Sequence, residues 1–180
     1  MRLTREEYME RLRSIRLVAV DVDGVLTDGS IVYGSDDWEA KVFHVRDGSA
    51  VHIACDIGLP IAVITGRTSA AVARRFAELP TAALVQGCTN KLAAGEWICA
   101  ERGLDLKEVA FIGDDLIDVP LLERVGLAVA VADAHPVALD AAHWVTETAG
   151  GRGALRELVD DMVEAHGAWG DLLEKMRARE

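Results

Sequence analysis

Basic residues are scarce in this chain of 180 residues: 19 Lys and Arg stand against 30 Asp and Glu, a net charge of −11. Nucleic acid and anionic membranes are therefore poor partners, because the dominant electrostatic contribution to such binding would be repulsive. A small anion is still admissible, since screening at physiological salt acts over about 8 Å and neighbouring cations decide local binding. Cysteine is equally sparse. Cys55, Cys88 and Cys99 are odd in number and form no C-x-x-C pair, so neither a disulfide framework nor a zinc knuckle is expected, and small buried apolar residues are. No segment reaches ~18 uninterrupted apolar residues. The opening MRLTREEYMERLRSIR is charged throughout and lacks the apolar core of a signal peptide, which makes a reducing cytoplasmic setting the default. Repeats, low-complexity runs and linkers are absent too, and no connection reaches the ~50 residues of a separate lid domain.

What is present is an alternation. The apolar runs LVAV (17–20), IAVI (61–64), AALV (82–85), VAFI (109–112) and LAVAVA (127–132) suit strands buried on both faces. Helix-period segments lie between them: Val72, Phe76 and Leu79 form one stripe, Leu92 with Gly103 as a stop frames another, and Leu116 to Val125 is a third. Thr4 to Glu7 reads as a capping box. Strands alternating with helices predict an α/β fold, a doubly wound, Rossmann-like parallel sheet with helices on both faces and no cap domain. The expected single domain covers 1–180, with a β-hairpin flap over about 29–46, turning near Gly34 to Asp37, and a C-terminal tail over 167–180. In that tail Trp169, Leu172, Leu173 and Met176 fall on one helical face, which suits packing on its own domain or on a neighbouring subunit.

In open α/β sheets ligands bind beyond the carboxyl ends of strands. The strand ends here carry Asp21-Val22-Asp23-Gly24, Thr65-Gly66-Arg67, Lys91 a few residues after the third strand, and Gly113-Asp114-Asp115. A single strand-ending Asp is usually a cap or a turn former. Two acidic clusters converging with a hydroxyl and an ammonium are better explained by a hard divalent cation, and Mg²⁺ suits oxygen ligands without His or Cys. The set then reads as phosphoryl-transfer equipment. Asp21 is the candidate nucleophile, and Asp23, two residues on along an extended chain, the proton shuttle. Thr65, Gly66 and Lys91 would gather charge on the phosphoryl oxygens, Asp114 would complete the metal site, and Asp115 and Asp118 would hold waters or Lys91 in place. Asp28, at the root of the hairpin, reads as structural.

The ordered set DVDGVLTDG, ITGR, Lys91 and GDDLIDVP resembles the haloacid dehalogenase-like phosphohydrolases. The stretches FHVRDG (43–48), QGCTNKL (86–92), VGLAVAVADAHP (125–136) and AGGRGALRE (149–157) resemble their capless subgroup, which contains 3-deoxy-D-manno-octulosonate 8-phosphate phosphatase of lipopolysaccharide sugar synthesis. The resemblance implies Mg²⁺ held by Asp21, Asp114 and the backbone carbonyl of Asp23. It also implies a homotetramer in which the hairpins form a central barrel and a tail can reach a neighbour's site. It assigns the phosphosugar to Asp23, His44, Val45, Arg46, Asp47, Gly48, His52, Thr65, Gly66, Arg67, Arg75 and Lys91. The planar fork of Arg67 suits the sugar carboxylate; related acylneuraminate 9-phosphate phosphatases often carry Glu there. The family commonly continues R-D-G-x-G-I-R. This chain reads RDGSAVH, with Ala50 for Gly and His52 for the second Arg, so the sugar end is expected to differ there.

Lys41, Arg46, Arg67, Arg75 and Lys91 supply the local positive charge that a doubly anionic substrate needs against the acidic surface. Two other readings compete. A nonulosonate 9-phosphate phosphatase would keep the chemistry and change the sugar. A phospho-acceptor receiver module carries its acceptor Asp on the third strand and lacks D-x-D-G, so the position of Asp21 favours the enzyme.

Overall fold

The buried apolar runs form a parallel sheet, and the order of its strands decides where a ligand can bind. The computed structural model describes residues 2–35 and 38–178. Its elements are α1 (Arg5–Leu12), β1 (Leu17–Val20), β2 (Val32–Tyr33), β3 (Glu39–Ala40), α2 (Val45–Asp56), β4 (Ile61–Ile64), α3 (Ala70–Ala77), β5 (Ala83–Val85) and α4 (Lys91–Arg102). There follow β6 (Val109–Gly113), α5 (Val119–Leu122), β7 (Leu127–Ala130), α6 (Pro136–Ala141), β8 (Trp144–Val145), α7 (Ala154–Ala165) and α8 (Trp169–Arg177). The six-stranded sheet has the order β5-β4-β1-β6-β7-β8, parallel throughout. From central β1 the chain winds outward through β4 to β5, then returns to β6 and winds the other way. That reversal between β1 and β6 is the switch point at which such sheets bind ligands.

β1, β4, β6 and β7 are buried at every residue, which is why they read as unbroken apolar runs. Helices cover both faces. α2 packs on α7 and α7 on α1, while α4 packs on α5 and α5 on α6. The capping box of α1 is complete: the Glu7 amide donates to Thr4 Oγ1 at 3.3 Å, and the Thr4 amide donates to Glu7 Oε2 at 2.8 Å. Gly103 ends α4 at φ 64°, a left-handed conformation that glycine adopts without a Cβ penalty.

The fold differs from expectation in four places. β8 adds a sixth strand whose two half-buried residues are too few to register as an apolar run. The segment from Leu116 is a 3-10 turn (Leu116–Asp118) followed by the four-residue α5, with Pro120 in its first turn. The hairpin pairs only Val32 with Ala40 and Tyr33 with Glu39; Asp36 and Asp37 of its expected turn lie outside the described residues. Val45, expected at the end of the flap, instead opens α2, because extended His44 caps the helix by accepting the Arg46 amide on Nδ1 at 3.3 Å. Of the three thiols only Cys99 is buried, while Cys88 is half-buried and Cys55 exposed. On α8, Leu172 is buried and Trp169, Leu173 and Met176 face outward.

Candidate active site

Asp21 directly follows β1, its amide bonded to the Ile112 carbonyl of β6 at 3.1 Å. The chain does not stay extended beyond it. The amides of Val25, Leu26 and Thr27 all donate to the Val22 carbonyl, so the chain folds into a tight turn. Asp23 lies in this turn, where its carboxylate pairs with the fully buried ammonium of Lys41 from the hairpin. Gly24 is required twice over: its φ is +94°, and a Cβ there would lie 2.0 Å from Asp114 Oδ2. From behind, Gly150 presses on the same turn, where a Cβ would lie 1.7 Å from the Gly24 carbonyl oxygen. Asp28 accepts the Ser30 amide at 3.0 Å, the structural role expected of it.

Lys91 opens α4, which Asn90 caps by accepting the Ala93 amide at 3.1 Å. Its buried Nζ lies 2.7 Å from Asp21 Oδ1 and 2.5 Å from Asp118 Oδ1. The other Asp118 oxygen accepts the amides of Asp114 and Asp115 at 2.8 and 3.1 Å. One buried carboxylate thus orients both the ammonium and the turn after β6. Asp115 is exposed and caps the 3-10 turn that carries Asp118, accepting the Leu116 amide at 2.8 Å. Thr65 is buried at the end of β4, where its hydroxyl oxygen accepts the Arg67 amide at 3.4 Å.

Asp21, Asp114 and Asp118 each offer an oxygen within 4.8 Å of the others, and Asp114 Oδ1 is buried without a hydrogen-bond partner. Burial pushes Asp21 up to about 6, with Lys91 restraining the rise, and pushes Asp114 up to about 8, with Asp21 and Asp118 adding to it. Burial alone would favour neutral Lys91, but Asp21 and Asp118 outweigh it and raise its pKa. Oxygen donors, an orphaned buried carboxylate oxygen and no His or Cys fit a hard divalent cation.

The residues expected at the sugar end separate into groups. Arg67 extends to the hairpin, where Nη2 donates to Tyr33 Oη at 2.9 Å and Glu39 Oε2 at 3.2 Å. Arg75 lies against Gly48, where a Cβ would come within 2.0 Å of Nη2, and pairs with Glu78 at 3.3 Å. His44, Val45 and Arg46 begin α2 beside them, with Val45 and Arg46 exposed. Asp47 is buried and turned away toward α7, whose Arg156 amide donates to Oδ1 at 3.0 Å. His52 is exposed on α2, seven residues after Val45, roughly 10 Å of helical rise from that group. Glu39 and Ser69 were not foreseen. Glu39 in β3 and Lys41 just after it both reach the site, and that i, i+2 spacing of opposite charges was the available signal.

The haloacid dehalogenase-like hydrolase family matches residues 81–158. The 3-deoxy-D-manno-octulosonate 8-phosphate phosphatase of Escherichia coli (strain B / BL21-DE3) is 45% identical over 161 residues, 89% of this chain and 86% of the relative. The chain belongs to the haloacid dehalogenase-like hydrolase family. Two solved structures of this family align closely. The Moraxella catarrhalis 3-deoxy-D-manno-octulosonate 8-phosphate phosphatase, crystallised with magnesium, phosphate and KDO, superposes with a TM-score of 0.92 at 33% identity, covering 96% of this chain and 99% of that one. The cobalt-bound deoxy-D-mannose-octulosonate 8-phosphate phosphatase of Haemophilus influenzae gives 0.84 at 38% identity, covering 87% and 92%. In this haloacid dehalogenase-like chain the carboxyl edge of the sheet carries the acids, and no described helix is long and apolar enough to cross a membrane.

Proposed function

We propose that the chain is a Mg²⁺-dependent phosphomonoesterase that hydrolyses 3-deoxy-D-manno-octulosonate 8-phosphate to the free sugar acid and phosphate. The observation that carries this reading is Asp21, buried at the switch point and held by Lys91, in a chain 45% identical to a named phosphatase. Asp21 attacks phosphorus, the bond to the sugar oxygen breaks, and an aspartyl-phosphate forms. Asp23 gives its proton to the departing sugar oxygen. It then takes a proton from water, whose oxygen attacks phosphorus and restores the Asp21 carboxylate. Thr65, Gly66 and Lys91 bind the equatorial phosphoryl oxygens, where positioning and electrostatics supply most of the catalysis. Asp21, Asp114 and the Asp23 carbonyl would hold Mg²⁺, which would supply charge neutralisation at those oxygens. Asp118 keeps Lys91 aimed, and Asp115 keeps Asp118 in place.

Arg67 reads the sugar carboxylate, while His44, Val45, Arg46, Gly48 and Arg75 take the sugar. Asp47 contributes by tying α2 to α7. His52 stands apart from them within one subunit. We read the chain as one domain over 1–180, working in the cytoplasm as a homotetramer. The exposed Val32, Tyr33 and Trp38 of the hairpin and Trp169, Leu173 and Met176 of α8 support that assembly. A phosphate-release screen over phosphorylated sugar acids, with and without Mg²⁺, tests the activity. The highest kcat/KM is expected on the octulosonate and none after chelation; a preference for neutral phosphosugars would defeat the assignment. Light scattering tests the tetramer.

A further inference from the structure

Arg67 does not present a free guanidinium. Its Nη2 donates to Tyr33 Oη and to Glu39 Oε2, which consumes both hydrogens of that nitrogen. A guanidinium grips a carboxylate through two parallel N–H bonds, from Nη2 with Nη1 or from Nη2 with Nε. Both forks need Nη2. Glu39 is itself anchored, because the Ser69 hydroxyl donates to Oε1 at 2.5 Å and the Ser69 amide donates to Gln86 at 2.9 Å. One hairpin carboxylate therefore bridges two residues of the loop after β4. The Arg67 side chain is 44% exposed, and an ion pair open to solvent is weak enough to exchange with an incoming carboxylate.

We propose that Glu39 is a positioning residue that sets specificity by holding the place of the substrate carboxylate on Arg67, so that a sugar acid displaces it on entry and it recaptures Arg67 as product leaves. The proposal rests on the reading of Arg67 given above. Its use lies in turnover. Hydrolysis removes the phosphate but leaves the carboxylate on the product, and an internal carboxylate competing for the same fork expels a ligand that has lost its other anchor. A neutral phosphosugar makes no use of Arg67 and is indifferent to Glu39.

The test is inhibition of aryl phosphate hydrolysis by the unphosphorylated octulosonate, with Mg²⁺, in the wild type, Glu39→Gln, Tyr33→Phe and Arg67→Ala. Glu39→Gln keeps an acceptor for Ser69 and removes the charge from Arg67. It should tighten inhibition by about two- to fivefold, the range of an exposed ion pair, and lower KM for the phosphorylated acid without lowering kcat. Tyr33→Phe frees the other Nη2 hydrogen and should shift inhibition the same way by a smaller factor; Arg67→Ala should weaken it. If Arg67→Ala weakens inhibition while Glu39→Gln and Tyr33→Phe leave it unchanged or weaker, the placeholder is wrong and the carboxylate reading stands. If Arg67→Ala has no effect, both fall.

Discussion

At the carboxyl ends of β1 and β6, Asp21, Lys91 and Asp118 are buried and cross-linked, whereas the hairpin beside them pairs through two residues per strand and leaves Val32, Tyr33 and Trp38 in solvent. The floor keeps charged groups in fixed positions in low dielectric, where preorganised charge is most effective. The hairpin holds by polar contacts, Glu39 to Ser69 and Arg67 and Lys41 to Asp23, of which the solvent-open Glu39–Arg67 pair exchanges most readily. Chemistry is placed where charges are buried and cross-linked. Recognition is placed where the chain can give.

Substitutions in the floor should therefore be catastrophic and those in the hairpin graded. Asp21→Asn is expected to lower kcat by roughly 10,000-fold or more while leaving the circular dichroism spectrum native. Appreciable phosphate release by that variant would remove Asp21 as nucleophile. Lys91→Met comes next. It leaves Asp21 and Asp118 as buried carboxylates without their cation, which should cost about 3–5 kcal/mol in urea denaturation, and kcat should fall ~100-fold or more. Loss of activity with no loss of stability would mean that Lys91 is not the buried counter-ion.

The third expectation concerns pH in the chelated protein. Folding raises Asp114 to about 8 and Asp21 to about 6 from the ordinary 3.8, so the folded state binds these protons more tightly than the unfolded chain. That contribution to stability is complete below about pH 4 and is lost as pH rises toward 8. Melting followed from pH 5 to 8.5 should show a declining Tm in chelator, with Mg²⁺ restoring more at pH 8.5 than at pH 5; equal restoration at both would place the cation away from these acids. Smallest and most selective is Arg67→Ala. It should raise KM for the sugar-acid phosphate about tenfold, the worth of a charged hydrogen-bonded pair, and hardly alter KM for an aryl phosphate. Equal changes on both substrates would erase the distinction between floor and hairpin.

The floor was largely legible in the sequence and the hairpin only in part. Fully buried parallel strands must be unbroken apolar runs, so β1, β4 and β6 announce themselves, and the acids at their ends fall where the switch point gathers them. The pairing of Asp118 with Lys91 followed from that convergence. Helix α2 was missed because its start is fixed by His44 capping and by Asp47 reaching across to α7, contacts with no local pattern. The tight turn around Asp23 was not legible either, because the three amides that close it on the Val22 carbonyl follow no side-chain pattern. Glu39 meets Ser69 only once the hairpin has folded back over the sheet, so its role was hidden.

Gly150, pressed against the carbonyl of Gly24, joins the first catalytic turn to a loop laid down after the last strand of the sheet. Such a contact is non-local, joining residues 126 positions apart, and non-local contacts slow folding. The acids of the floor can thus all be in place in the chain while the turn that follows Asp21 still lacks its backing. Until the segment after β8 docks, the first catalytic turn lacks the neighbour that Gly150 supplies.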